Sequence, residues 1–447
     1  MSASREVSGS GGASAPGFLG GFDAGAGAGI VAPADVAPGA LVVTVSEPQQ
    51  HGDGTSGFVS YLITTETTLP CFPFTRSMVR RRFQDFRWLQ RVMTDELPQC
   101  IVPPLPSKHR VGYLTRDRFT SEFIDKRRIS LQTYLNRVAR HPSLSHSKAL
   151  VTFLDKGNFH VGGASTHSGG SQMLENLSDA LMNAFSKVKN PDERFVRFRS
   201  ELSVFEKNLQ TVEKLHLKLL RQQHEQEQEL SEMSASLSAL AKLEDGLARP
   251  LTATSGAFDQ LATACHTKSS LEDTDFLSNL HDYINYCGHV KDVLKLRDHK
   301  QAELEELTTY LQFHIVEREK TLASQRTGGI GGYVKEKYRD LRGMDHEQAR
   351  LARLGRLDVK IKELHEGLDT SRQTSHAFSD HVLAEMALFE RHKALDFENF
   401  LRDYRDHTID YYRTSADVWT QLLHQLEQPS PPASATASPG ATASVLG

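Results

Sequence analysis

Apolar residues recur in one continuous alternation of four and three through Phe198, Leu202, Phe205, Leu209, Val212, Leu219, Leu230, Met233, Leu237, Leu240 and Leu247. Such a repeat keeps one stripe of a helix facing a partner over many turns. Asn190-Pro191-Asp192-Glu193 opens it with a capping residue, a proline in the first turn and acids at the positive end of the helix dipole. A single helix holding the seam from Asp192 to Ala248, with Pro250 as its stop, would be about 85 Å long. No compact globule accommodates that element, so this half of the chain has to be elongated. His216, Gln223, Gln226 and Glu244 fall in the same register. They either fix pairing as buried polar residues or face solvent where the helix bends.

Two more seams follow. One carries Phe276, Leu280, Ile284, Cys287, Leu294, Leu304, Leu307 and Leu311. The next carries Leu354, Leu357, Ile361, Leu364 and Leu368 and turns aromatic from Phe378 to Trp419. Long seams need partners, and three of them predict an all-α three-helix coiled coil over 190–427 that dimerises. Beside the last seam Arg339, Arg342, Arg350, Arg353, Arg356 and Lys360 recur at helical spacing, with Lys335 and Lys337 before them. Such a stripe is either a solvated face or, on an elongated dimer, a surface for acidic lipid. A shorter amphipathic helix is predicted over 173–189, with Leu174, Leu177, Leu181, Phe185 and Val188 on one face; it either docks on the next domain or enters a membrane interface.

Charge divides the chain unevenly. Cys71 to Leu150 holds 16 Lys and Arg against 6 Asp and Glu, a net of +10, while the remaining 36 basic and 50 acidic residues leave −14. A basic module on an acidic chain implies a localised anionic partner, nucleic acid or a lipid headgroup. Cys71, Cys100, Cys265 and Cys287 show no C-x-x-C spacing, which fits a reducing cytosol better than disulfides or a zinc site. No apolar run is long enough to span a bilayer and the start lacks a signal-peptide core, so any membrane association is expected to be peripheral.

Within the basic module, Leu41–Val45, Phe58–Thr64 and Met78–Arg82 read as strands, and a helical pattern begins at Asp85. Arg82 and Phe83 therefore sit at a strand-to-helix junction, where free backbone N–H groups and the helix dipole favour a bound anion. The competing reading is a solvated basic edge that discourages aggregation. Three prolines hold Val102-Pro103-Pro104-Leu105-Pro106-Ser107-Lys108 extended. Helical patterns follow from Phe119 to Val138 and from Lys148 to Leu154, making 40–157 a small α+β domain. Residues 1–39 and 428–447, rich in Gly, Ala, Ser and Pro, read as disordered tails, and 158–172 as a linker.

Three ordered motifs, Arg81-Arg82-Phe83-x-x-Phe86-x-x-Leu89, Pro103-Pro104-Leu105-Pro106-x-Lys108 and Lys126-Arg127-Arg128-x-x-Leu131-x-x-Tyr134-Leu135, resemble the phox-homology domain, a phosphoinositide-binding module. The resemblance implies that Arg82 holds the 3-phosphate of phosphatidylinositol 3-phosphate, Phe83 packs under the inositol ring, Lys108 meets the 1-phosphate and Arg127 contacts the ring hydroxyls. Spacing alone does not separate Arg127 from Arg128. Phe83 lacks the hydroxyl of the family's common tyrosine. Arg80, Arg81 and Arg128, with Lys335, Lys337, Arg350 and Arg353 on the helical half, are expected to give only general attraction to an anionic membrane, about 1 kcal/mol each.

A phox-homology domain, an amphipathic linker helix and three long helices resemble the sorting nexins that carry a BAR domain, crescent-shaped dimers that bind curved membrane. Gly328-Gly329-Ile330-Gly331-Gly332-Tyr333 and Arg342-Gly343-Met344-Asp345-x-Glu347-x-Ala349-Arg350 are similar to a fungal branch of that family. That branch implies endosomal retrieval and selective autophagy, on endosomal and preautophagosomal membranes, with a related sorting nexin as dimer partner. No cofactor and no metal are expected. A nucleic-acid-binding coiled coil is the alternative, but the aromatics interleaved with charge are too few for a stacking platform, so no nucleic acid is expected. For an enzyme, no H-E-x-x-H, phosphate-cradling loop or nucleophile with a base is present.

Overall fold

The computed structural model describes residues 41–52, 57–106, 120–155, 188–323 and 343–428. The tails, the linker, most of the 173–189 segment, Lys108, Lys335 and Lys337 lie outside the described residues.

An antiparallel meander comes first: β1 (Leu41–His51), β2 (Phe58–Thr67) and β3 (Arg76–Arg82), in that order across the sheet. Between Ser46 and Gln49 the β1 register slips, and Glu47 there has φ 43° ahead of Pro48. The Arg80 guanidinium holds this irregularity by donating to the Glu47 carbonyl at 3.0 Å and pairing with its carboxylate at 3.1 Å. Helix α1 (Phe83–Glu96) follows β3 without a loop, two residues earlier than the apolar pattern indicates. Its start is set by capping: the Arg82 backbone N–H donates to the Asp85 carboxylate at 2.8 Å, three residues on.

Helix α2 (Ser121–Arg140) buries Leu131, Tyr134, Leu135 and Val138, as their spacing predicts. Its Gln132 reaches β1, accepting from the Val45 N–H and donating to the Val43 carbonyl, both at 2.6 Å. That closes two backbone groups of an edge strand that would otherwise offer themselves to another chain. With α3 (Lys148–Leu154), the helices and sheet enclose one core around Phe86, Leu89, Met93, Tyr61, Ile63 and Phe153.

The helical half comprises α4 (Glu193–Ala241), α5 (Ala248–Leu271), a π-helical turn (Glu272–Leu277), α6 (Ser278–Ala323) and α7 (Gly343–Glu427). The first seam is therefore not one helix to Ala248. The chain reverses over residues 242–247, and α5, the π-helical turn and the start of α6 run back along α4, with Ser234 bonded to Ser255, Gln223 to Glu272 and Glu213 to His281. Periodicity could not reveal this, because Leu240 and Leu247 keep their seven-residue spacing across the turn. Pro250 does not stop a helix; it lies in the first turn of α5, where its missing N–H costs nothing. Of the polar seam positions, His216 and Gln223 are buried against Glu272, whereas Gln226 and Glu244 are exposed.

Helix α7 has 85 residues, about 128 Å at 1.5 Å per residue, and lies antiparallel to α6. The α4, α6 and α7 core is aromatic, with Phe195, Phe198, Phe276, Tyr283, Tyr286, Phe389 and Phe400 buried.

The two halves meet in a desolvated polar junction. Arg137 of α2 donates to Asp396 at 3.0 Å and Asp282 at 3.2 Å, and its guanidinium lies 5.1 Å over the Tyr283 ring. Arg140 and the Tyr283 hydroxyl both bond Asp396 at 2.8 Å. Beside them Glu385 of α7 accepts from the Ile101 N–H and from His141, each at 2.9 Å. Ile101 itself is buried in the helical core rather than with the sheet. Burial acts to lower the Arg137 pKa, but Asp282, Tyr283 and Asp396 carry it upward. Burial likewise acts to raise Asp396, and Arg137 and Arg140 hold it below the usual carboxylate range.

Candidate anion-binding site

Strand β3 alternates. Ser77, Val79 and Arg81 face inward; Arg76, Met78, Arg80 and Arg82 face outward. Arg81 is thus corrected from a surface contact to a structural one. Its guanidinium is buried, donating to the carbonyls of Phe153 at 2.9 Å, Asp155 at 2.8 Å and Arg80 at 3.1 Å. The period-two parity set by Val79 marked Arg81 as inward in the sequence.

Arg82 is the N-cap residue of α1. Its side chain is 43% exposed, 3.6 Å from the Asp85 carboxylate, with the guanidinium carbon 5.7 Å from the Phe58 ring centre. Phe83, the first residue of α1, is half-buried against the sheet core. Helix α2 crosses so that the Arg127 guanidinium carbon lies 4.6 Å from the Phe83 ring centre and 4.4 Å from that of Phe123. Arg127 has no carboxylate partner among the described residues, its Nε is buried without a hydrogen bond, and burial pushes its pKa down. The Tyr61 hydroxyl beneath is pushed up to about 12 by burial, against the pull of Arg127.

Arg82, Phe83 and Arg127 therefore share one site. Arg128, which spacing could not exclude, pairs instead with Asp125 at 3.5 Å. A half-buried guanidinium with no carboxylate partner among the described residues is unfavourable unless another group offsets its charge. Two members were not anticipated. Phe123 lies one helical turn before Arg127, a spacing that could have marked it; Asp85 is visible as an acid three residues after the cap.

On α7, Arg353 donates to Glu317 at 2.6 Å and Arg356 to its own helix carbonyl at Ala352. Arg350 is half-buried. The described part of the basic stripe is thus partly neutralised by α6.

Cys100, His141 and Glu385 place three potential metal-ligating atoms within 4.8 Å at the junction. The hydrogen bonds argue against metal. His141 Nδ1 accepts from the N–H groups of Ser143 and Leu144, both at 3.2 Å, so the proton sits on Nε2 and points at Glu385. A metal at Nε2 would need that proton on Nδ1, facing two donors. Burial pushes the Cys100 thiol up to about 12, so without a metal it stays a protonated thiol.

Residues 69–156 match the PX domain family, and residues 170–329 match the family described as Vps5 C terminal like. Sorting nexin-4 of Cryptococcus neoformans var. neoformans serotype D is 34% identical over 398 residues, 86% of this chain and 80% of that protein. The chain belongs to the sorting nexin-4 family. Sorting nexin-4 of Neurospora crassa is 32% identical over 418 residues, 87% of this chain and 85% of the relative. Among solved structures, the SNX-BAR Mvp1 tetramer has 17% identity and a TM-score of 0.48, with 85% of this chain and 99% of that chain covered. A sorting nexin with PX and BAR regions is a peripheral, membrane-associated sorting protein of a non-enzymatic family. Among the described residues no helix is long and apolar enough to cross a membrane.

Proposed function

We propose that the chain binds phosphatidylinositol 3-phosphate through Arg82, Phe83 and Arg127, and that a helical dimer presents two such sites to curved endosomal membrane. The observation that carries this is the Arg127 guanidinium, held between Phe83 and Phe123 with no carboxylate partner among the described residues, next to Arg82 at the start of α1. In this reading Arg82 takes the 3-phosphate in a bidentate contact and Arg127 takes the ring hydroxyls, with Lys108 at the 1-phosphate. The folded units are 40–157 and 190–427, joined through the 173–189 amphipathic segment.

Dimerisation is supported by the distal part of α4. Val212, Leu215, Leu219, Met233 and Leu240 are exposed there, as are Ile409, Tyr412, Trp419 and Leu423 of α7. Two linked sites raise effective concentration and turn a weak grip into stable retention. The family resemblance extends the reading to endosomal retrieval and selective autophagy, to endosomal and preautophagosomal membranes, and to a related sorting nexin as partner.

The test is sedimentation with phosphatidylcholine and phosphatidylserine vesicles, with and without phosphatidylinositol 3-phosphate. The expected result is binding that depends on the 3-phosphate and is lost in Arg82→Ala. Equal binding to both vesicle types, or full retention by the variant, would overturn the reading.

A further inference from the structure

We propose that Phe123 determines specificity at this site by orienting Arg127, a role that rests on the headgroup reading above. The Arg127 carbon lies as close to Phe123, 4.4 Å, as to Phe83, 4.6 Å. Phe123 is itself 8% exposed and sits at the third position of α2, where its N–H is capped by the Thr120 hydroxyl at 3.4 Å. The ring is therefore anchored by backbone as well as by burial. A guanidinium usually takes its direction from a carboxylate; here two π faces replace it. That substitution has a chemical consequence. The two rings hold the guanidinium carbon at 4.6 and 4.4 Å without neutralising its charge, and because Nε is buried, the Nη groups are the donors left for a ligand. A paired oxygen acceptor in the guanidinium plane, such as vicinal hydroxyls of an inositol ring, meets those donors. A lone diffuse anionic surface gains charge attraction but nothing from its direction.

Phe123 is thus a positioning residue: it touches no ligand atom in this scheme and acts through Arg127. Phe123→Leu keeps the apolar volume and removes the π face, whereas Phe123→Tyr and Phe123→Trp keep it. Each full-length variant is measured on vesicles of phosphatidylcholine and phosphatidylserine, with and without phosphatidylinositol 3-phosphate, after its melting temperature has been compared with the parent.

The expected result is a loss of about fivefold in 3-phosphate-dependent affinity for Phe123→Leu, at the ordinary size of a part-desolvated cation–π contact. Binding to phosphatidylserine alone should not change, because the charge of Arg127 remains. Phe123→Tyr or Phe123→Trp should restore the dependence. Phe123→Leu that keeps the parent's full 3-phosphate preference overturns the proposal, as does an equal loss on both vesicle types or a loss shared by the aromatic variants. A parent protein with no 3-phosphate preference defeats the headgroup reading first and the role of Phe123 with it. The two failures are therefore told apart by the parent's own behaviour.

Discussion

Residues that look alike in the sequence do different work according to which face of an element carries them. Arg80, Arg81 and Arg82 are consecutive, yet Arg80 braces the β1 irregularity, Arg81 seals the end of α3 and only Arg82 stands at the candidate site. Arg81→Ala should therefore destabilise the protein by about 2 kcal/mol, because three carbonyls lose a charged donor in a buried place. Denaturant unfolding measures it, and an unchanged midpoint would refute the structural role. Arg127→Lys should cost about tenfold in affinity for 3-phosphate vesicles while leaving stability near the parent's, since an ammonium keeps the charge but loses the planar fork. A lysine variant that bound as well as the parent would show that only charge matters there.

Among elements, the junction formed by α2, α6 and α7 is the one whose energetics are most exposed to mutation and pH. Arg137 is 3% exposed in its side chain and balances Asp282 and Asp396 together. Arg137→Ala should cost about 3–5 kcal/mol by stranding two buried carboxylates, more than any exposed ion pair in the molecule. Calorimetry would read this as a large fall in melting temperature. His392 gives the junction an acid limit. Burial, then Arg140 and His141, lower its pKa from 6.5 to about 4, so the folded state takes up its proton later than the unfolded chain does. Its contribution to stability is full above pH 6.5 and is lost as pH falls from 6.5 to about 4. Melting at pH 7 and pH 5 should differ less in His392→Gln than in the parent; an identical difference would refute the assignment.

For the whole molecule, the junction decides what the site can do. Arg137, His141 and Ile101 bind one side of the α+β unit to helices that run far beyond it, so the Arg82–Arg127 site has a set direction relative to the helical arm. The exposed apolar residues at the α4 and α7 ends mark where a second arm would cover the first. Trp419→Glu combined with Leu423→Glu should convert the protein to a monomer in analytical ultracentrifugation. It should also weaken binding to 3-phosphate vesicles by about a hundredfold while leaving the single-site affinity for soluble headgroup unchanged. Dimeric mass in that variant would place the interface elsewhere.

The strands, the basic junction and the long seams follow from local periodicity and capping, which act over a few residues and are written in the sequence itself. The core positions Leu131, Tyr134, Leu135 and Val138 of α2 belong to that local physics, whereas α1 starts at Phe83, two residues before its apolar pattern, because Asp85 caps it. Three things needed tertiary structure. The reversal at 242–247 preserves the seam's spacing, so periodicity is blind to it. Arg127 rather than Arg128 faces Phe83 because α2 packs on the sheet at one rotation, fixed by Gln132 on β1. The pairing of Arg137 with Asp282 and Asp396 joins residues 145 and 259 positions apart, and no local rule connects charges at that separation.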